Sequence, residues 1–100
     1  MLVTFEDRFD ILPGRLKVFA EYVETTGRPG WLRFAEVKGF RVYTNLFGVS
    51  SPQRVIQMDV ENLAALERIF RDPAFIEVRA RFYSFVTNLT HSILVPLFSK

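Results

Sequence analysis

The sequence predicts an α+β fold with the element order β-α-β-β-α-β, and three observations carry that prediction. Apolar residues alternate with polar ones in several short runs, two longer runs repeat at helical spacing, and Gly or Pro marks most changes of period. The earliest change lies in FDILPGRLKVFAEY, Phe9 to Tyr22, where a period of two gives way to one of 3.6 across Pro13-Gly14.

The first strand is read from Leu2 to Leu12, where Val3, Phe5, Phe9 and Ile11 alternate loosely with polar side chains. Pro13-Gly14 closes it with a turn. Beyond Arg15, Leu16, Phe19, Ala20 and Val23 fall at i, i+3, i+4 and i+7 while Lys17, Glu21 and Glu24 face away, so an amphipathic helix is expected. Gly27 suits its end, and Pro29 prevents simple continuation. The segment GWLRFAEV keeps Trp31, Phe34 and Ala35 at helical spacing and is expected as a kinked continuation that Gly39 breaks. FRVYTNLF, Phe40 to Phe47, then alternates β-branched and aromatic residues as a second strand; GVSSPQ is its turn, and RVIQMDV, Arg54 to Val60, is a third strand antiparallel to it.

Asn62 can cap a helix whose apolar face is Leu63, Leu66, Ile69 and Phe70. Asp72-Pro73 supplies a second cap and first helical position, after which Phe75, Val78, Phe82, Phe85 and Val86 recur at near-helical spacing. THSILVPL is the last strand, with Pro96 placing its end at a sheet edge. This order is the split βαβ arrangement of the ferredoxin-like fold, a four-stranded antiparallel sheet covered on one side by two helices.

At 100 residues the chain is expected to form a single domain, 1–100, that buries roughly two-thirds of its unfolded surface. Hydrophobic residues make up 49% and charged residues 24%, which is far from the disordered range. Thirteen Lys and Arg are scattered among eleven Asp and Glu, so no basic stripe for nucleic acid is expected. The absence of cysteine removes disulfides, Fe–S clusters and thiolate metal sites, and fits a reducing cytoplasm. MLVTFEDRFDILPG lacks the basic and apolar regions of a signal peptide, and ILVPLF is far shorter than the about 20 residues a membrane helix needs. A cytoplasmic protein without a membrane partner is expected.

With helices on one face only, a monomeric sheet would present polar residues on the other. The pattern looks too apolar for that: Phe40, Val42, Thr44 and Leu46 oppose Arg41, Tyr43, Asn45 and Phe47, and Ile93, Val95 and Leu97 oppose Ser92, Leu94 and Phe98. About eight large residues leaving about 100 Å² each would make an open patch of roughly 800 Å², more than a soluble monomer usually exposes. A homodimer packed through the open sheet face is the expected cover.

FDILPGRLKVF, KGFRVYTNLFG and RVIQMDVENLAALERIFRDPAF together resemble the dimeric α/β-barrel superfamily, in particular its NIPSNAP-like and antibiotic-biosynthesis-monooxygenase-like branches. The resemblance spans nearly the whole chain and implies two sheets closing a barrel, with a pocket between sheet and helices in each subunit. It also implies relatives that include cofactor-free oxygenases, haem-degrading enzymes and isomerases. The haem-degrading branch places a His four residues after a Phe on the second helix, whereas Arg79 follows Phe75 here, which argues against that haem ligation.

His91 is the one histidine, too few for a His-rich metal set, so neither metal nor cofactor is expected; at the start of the last strand it could serve as an acid or base. Tyr22, Trp31, Phe34 and Tyr43 are candidates to line an aromatic pocket, with Tyr43 and Asn45 offering polar contacts. For each, an ordinary core or surface role competes. Asp59 reads as a cap for the following helix, and Arg79 and Arg81, on opposite helix faces, read as solvated charges. The leading functional expectation is binding of a small apolar or aromatic molecule between sheet and helices. A cofactor-independent monooxygenase acting on a phenol or quinol through His91, Tyr43, Asn45 and Trp31 is the alternative, and a purely structural or assembly role is a third.

Overall fold

The computed structural model describes residues 1–46 and 51–98. Strand β1 (Val3–Ile11) leads into helix α1 (Leu16–Tyr22), a π-helical turn (Val23–Gly27) and a short helix α2 (Arg28–Leu32). Strands β2 (Val37–Thr44) and β3 (Arg54–Val60) follow, then helices α3 (Leu63–Arg71) and α4 (Pro73–Tyr83), and finally β4 (Val86–Leu94). The sheet is antiparallel with the order β2-β3-β1-β4, so the fold is the ferredoxin-like one, with β2 and β4 at its edges. Of the expected turn GVSSPQ, Gly48 to Ser50 lie outside the described residues, as does Phe47.

Local chemistry accounts for most boundaries. Gly14 adopts φ 78° beside Pro13, a left-handed conformation that glycine takes without a Cβ penalty. Gly27 does not end the first helix. Its Cβ-free backbone lies against the buried Tyr22 ring, and the chain winds on through the π-turn into α2, a kinked continuation that ends at Leu32, short of the Phe34 and Ala35 expected within it. Leu16 and Ala20 are exposed, and α1 buries Phe19 and Tyr22 instead. Asn62 Oδ1 accepts the Ala65 amide at 2.8 Å and Asp72 Oδ1 accepts the Phe75 amide at 3.0 Å, so both expected caps are made.

Three sequence expectations need correction here. Gly39 lies inside β2, where the register with β3 shifts, rather than before it; a Cβ there would fall 2.8 Å from Asp59 Oδ2. Helix α4 stops at Tyr83 and β4 starts at Val86, so Phe85 and Val86 are not helical; their apolarity suits either element, and the period could not separate them. Asp59 does not cap α3: it sits on β3, accepts Thr4 Oγ1 at 2.7 Å and pairs with Arg41 at 2.6 Å.

The open face of the sheet is polar, not apolar. Pairing sets Thr4, Glu6 and Arg8 beside Asp59, Gln57 and Val55, and these beside Gly39, Arg41 and Tyr43. A continuous ladder results: Arg8 donates to Glu6, Gln57 donates to Glu6, and Arg41 donates to both Gln57 and Asp59. Leu94, paired with Thr4, borders this face at its edge, and the rest of the apolar surplus lies at the end of β4 and just beyond it, where Ile93, Val95, Leu97 and Phe98 are also exposed. The core is on the other face, where Phe5, Phe9, Ile56, Met58 and Val60 of the sheet meet Phe19, Trp31, Leu66, Ile69, Phe75 and Phe82 of the helices.

Candidate functional site

Alternation along β1 points Val3, Phe5, Phe9 and Ile11 at the helices, and it points Asp7 there as well. On α4 the buried face carries Phe75, Phe82 and, between them at i+4, Arg79. The fold thus presses a carboxylate and a guanidinium together inside an aromatic core. Asp7 is 1% exposed and Arg79 5% exposed, so the expectation that Arg79 is a solvated charge is overturned. Its spacing from Arg81 does separate the two: Arg81 reaches Thr26 Oγ1 at the surface while Arg79 turns inward.

The pair is bidentate, with Arg79 Nη1 to Asp7 Oδ2 at 2.7 Å and Nη2 to Oδ1 at 3.1 Å. Burial works against the Arg79 charge, but the Asp7 carboxylate outweighs it and the guanidinium holds its proton more firmly than an ordinary arginine. Phe82 and Tyr83 present ring faces to its carbon at 4.8 and 5.1 Å, which further suits a cation. Arg79 Nε is buried without a partner among the described residues.

From the edge strand β4, His91 pairs with Asp7 in the sheet register and brings Nδ1 to 2.7 Å from Asp7 Oδ1. A carboxylate already bound to a guanidinium can only accept, so Nδ1 carries the proton and donates it. The other ring nitrogen, Nε2, is then the basic one. The imidazole stacks on Phe5 at 5.6 Å and is 43% exposed, at the wall of a cavity of about 450 Å³ lined by Phe5, Phe70, Arg79, Tyr83, His91 and Ile93. A smaller cavity of about 250 Å³ adjoins it along α4, sharing Phe70, Arg79 and Tyr83. The volume suits a small organic molecule, and the walls are mostly apolar with a few convergent polar atoms.

Of the candidate site residues named from sequence, His91 alone lines this cavity. Tyr43 and Asn45 belong to the opposite edge and Tyr43 to the opposite face; Asn45 Nδ2 donates to the Pro52 carbonyl at 3.1 Å near the hairpin end. Trp31 and Tyr22 are core residues, and the gap they share with Asp7, Phe40 and Phe82 holds about 10 Å³, no more than one water. Burial pushes the Tyr22 hydroxyl up to about 12, and that hydroxyl donates to the Val78 carbonyl at 2.8 Å. Phe34 is half-buried against Phe75 and under the Arg33 guanidinium. Sequence reasoning missed Asp7, Arg79 and Tyr83. A signal was available, because Asp7 and Arg79 are opposite charges at positions where strand and helix patterns call for apolar residues. Among the described residues no group of three or more His, Asp or Glu is gathered to hold a metal ion.

The fold has many relatives of known structure. The chain superposes on a variant of SnoaB, a cofactor-independent oxygenase from Streptomyces nogalater, with TM-score 0.78 and 16% identity, covering 98% of this chain and 95% of that one. A dabb family protein with a ferredoxin-like fold from Mesorhizobium loti gives TM-score 0.80 at 15% identity, with 97% and 98% covered. A dimeric protein of unknown function from Bacteroides fragilis gives 0.71 at 10% identity, with 93% and 94% covered. No family model and no curated protein matches the chain. At such identities the likeness establishes the ferredoxin-like fold shared by dimeric α/β-barrel proteins, and leaves chemistry to the site. No helix among the described residues is long and apolar enough to cross a membrane.

Proposed function

We propose that this chain acts in the cytoplasm as a homodimer that binds a small, flat, largely apolar molecule between β4 and helices α3 and α4, and that His91 removes a proton from it. One observation carries the reading: His91 Nδ1 is fixed by the buried Asp7–Arg79 pair, which leaves Nε2 as a base at the wall of an apolar cavity of about 450 Å³. Asp7 orients the ring and stabilises the imidazolium once it forms. Exposed Ile93, Leu94, Val95, Leu97 and Phe98, beside an edge strand, support a partner subunit there, in keeping with the dimeric relative from Bacteroides fragilis.

Deuterium exchange at the acidic methylene of 2-tetralone, followed by NMR in heavy water, tests the base. The wild type is expected to accelerate exchange and His91→Gln to lose about a hundredfold or more of that acceleration. Equal rates in the two proteins would remove His91 as the base. Native mass spectrometry tests assembly, with a mass of twice 11.6 kDa expected and a monomer contradicting it.

The resemblance in fold to SnoaB favours a more specific form of the same chemistry, cofactor-independent oxygenation. A quinol substrate loses a phenolic proton to His91, and an unsubstituted ring carbon of the resulting anion then reacts with molecular oxygen. Overall a simple quinol, C₆H₆O₂, and O₂ give the hydroxyquinone C₆H₄O₃ and H₂O, one oxygen atom entering the product and the other leaving as water. Oxygen uptake with dihydroxyaromatic compounds that disappears in His91→Gln supports this form; proton exchange without oxygen uptake confines the function to acid–base chemistry.

A further inference from the structure

The cavity holds a second polar group whose hydrogen-bond direction the structure determines. Tyr83, at the last position of α4, is 48% exposed and lines both adjoining cavities. Its oxygen lies 3.4 Å from Arg79 Nη2, and a guanidinium has donors only, so the tyrosine oxygen accepts. Its own proton is therefore not used by Arg79, and among the described residues no protein acceptor takes it. The Tyr83 and His91 rings meet edge to face with centroids 6.4 Å apart, so a donor and a base border the same space.

We infer that Tyr83 donates a hydrogen bond to an oxygen of the bound molecule, and that the site therefore takes weak acids whose conjugate base carries its charge on oxygen, namely phenols and enolisable ketones. This rests on the base assigned to His91 above and adds a separate group to it. The proton leaves the ligand O–H or α-C–H for His91 Nε2, and the electron pair it leaves behind settles on the ligand oxygen. Tyr83 keeps its proton and shares it with that oxyanion. Arg79, bonded to the tyrosine oxygen, polarises the O–H as negative charge develops, while Asp7 keeps the guanidinium in place. The mostly apolar walls raise the value of both interactions by lowering the local dielectric once a ligand displaces water from the cavity. Neutral hydrocarbons of the same shape lack the oxygen and gain nothing from Tyr83.

The test uses 4-nitrophenol, whose anion absorbs visible light, titrated across pH in the presence of saturating intact protein. The wild type is expected to bind it and to ionise it at a lower pH than in free solution. Tyr83→Phe keeps the ring and the apolar wall, so it is expected to bind the neutral phenol about as well but to ionise it about one pH unit higher than the wild type, about a tenfold loss of phenolate at a given pH. A purely structural role for Tyr83 moves affinity without moving this ionisation. His91→Gln separates the two readings. If His91→Gln raises the ionisation and Tyr83→Phe leaves it at the wild-type value, the Tyr83 assignment falls and the base stands. If Tyr83→Phe moves it and His91→Gln does not, the base assignment falls. No binding of the phenol by the wild type overturns both.

Discussion

Replacing Asp7 by Asn is the most informative perturbation of this molecule, because it keeps the shape of a side chain that is 1% exposed while removing its charge and turning one of its two acceptor oxygens into a donor. The change leaves the Arg79 guanidinium, 5% exposed, without its counter-ion in a core of aromatic rings. Breaking a buried pair by removing one partner typically costs about 3–5 kcal/mol. Arg79 borders a cavity that water can enter, so the lower end, about 3 kcal/mol, is expected. For a domain of this size that corresponds to a fall in Tm of about 12–24 °C. Urea unfolding at pH 7 measures the cost directly. A cycle with Arg79→Met tests the mechanism: removing both charges should recover about 2 kcal/mol or more relative to the sum of the single changes. A single-mutant cost below about 1 kcal/mol, or a cycle additive within about 0.5 kcal/mol, would refute the view that the pair is a desolvated unit and with it the support given to His91.

Other regions give further expectations. Tyr22 titrates near 12 in the fold against 10.0 when unfolded, so its contribution is complete below pH 10 and lost on the way to pH 12; stability should fall by about 2–3 kcal/mol over that range, and Tyr22→Phe should flatten the alkaline limb of an unfolding-versus-pH curve. On the open face the signs reverse. Burial pulls Glu6 upward, but Gln57 and Arg8 outweigh it, and Arg41 holds Asp59 below the usual range. Both carboxylates therefore stabilise the fold above their ordinary values of 4.5 and 3.8 and cease to do so as pH falls through their lowered ones; an acid limb unchanged in a Glu6→Gln, Asp59→Asn double variant would contradict this. Gly27→Ala would bring a Cβ to 2.9 Å from the Tyr22 ring, itself held by the Val78 carbonyl, and should cost about 1–3 kcal/mol in thermal unfolding. A neutral result there would mean that the π-turn can yield.

Much of the architecture could be read from the chain because it follows from local rules. The third strand has the bounds RVIQMDV, both helix caps are made by the expected residues, and the order of elements is the one the periodicities give. Boundaries failed where residues suit two elements, as at Phe85 and Val86, or where a glycine serves a bulge rather than a stop, as at Gly39. The open face was misjudged for a related reason. Counting large residues per strand does not say which strand partners they meet, and pairing put Glu6, Arg8, Arg41, Gln57 and Asp59 side by side while sending the apolar excess to the end of β4.

The candidate site depended on tertiary structure almost entirely. His91 was legible as the one imidazole, but its partner is 84 positions away in the chain, and Arg79 is 72 positions from the same carboxylate. Periodicity reports which face a residue occupies and is silent about what the facing element presents. Asp7 and Arg79 each looked like a lapse in an apolar pattern, or like solvated charge, until the packing of α4 across β1 showed that each compensates the other. Local pattern in the chain was enough for the kinds of element, the Asn62 and Asp72 caps and the α+β order, since these depend on neighbours a few residues apart. Strand pairing and helix packing alone decided that a base, its buried counter-charge and a tyrosine donor face one cavity, because that requires contacts whose free energy exists only when distant segments exclude water together.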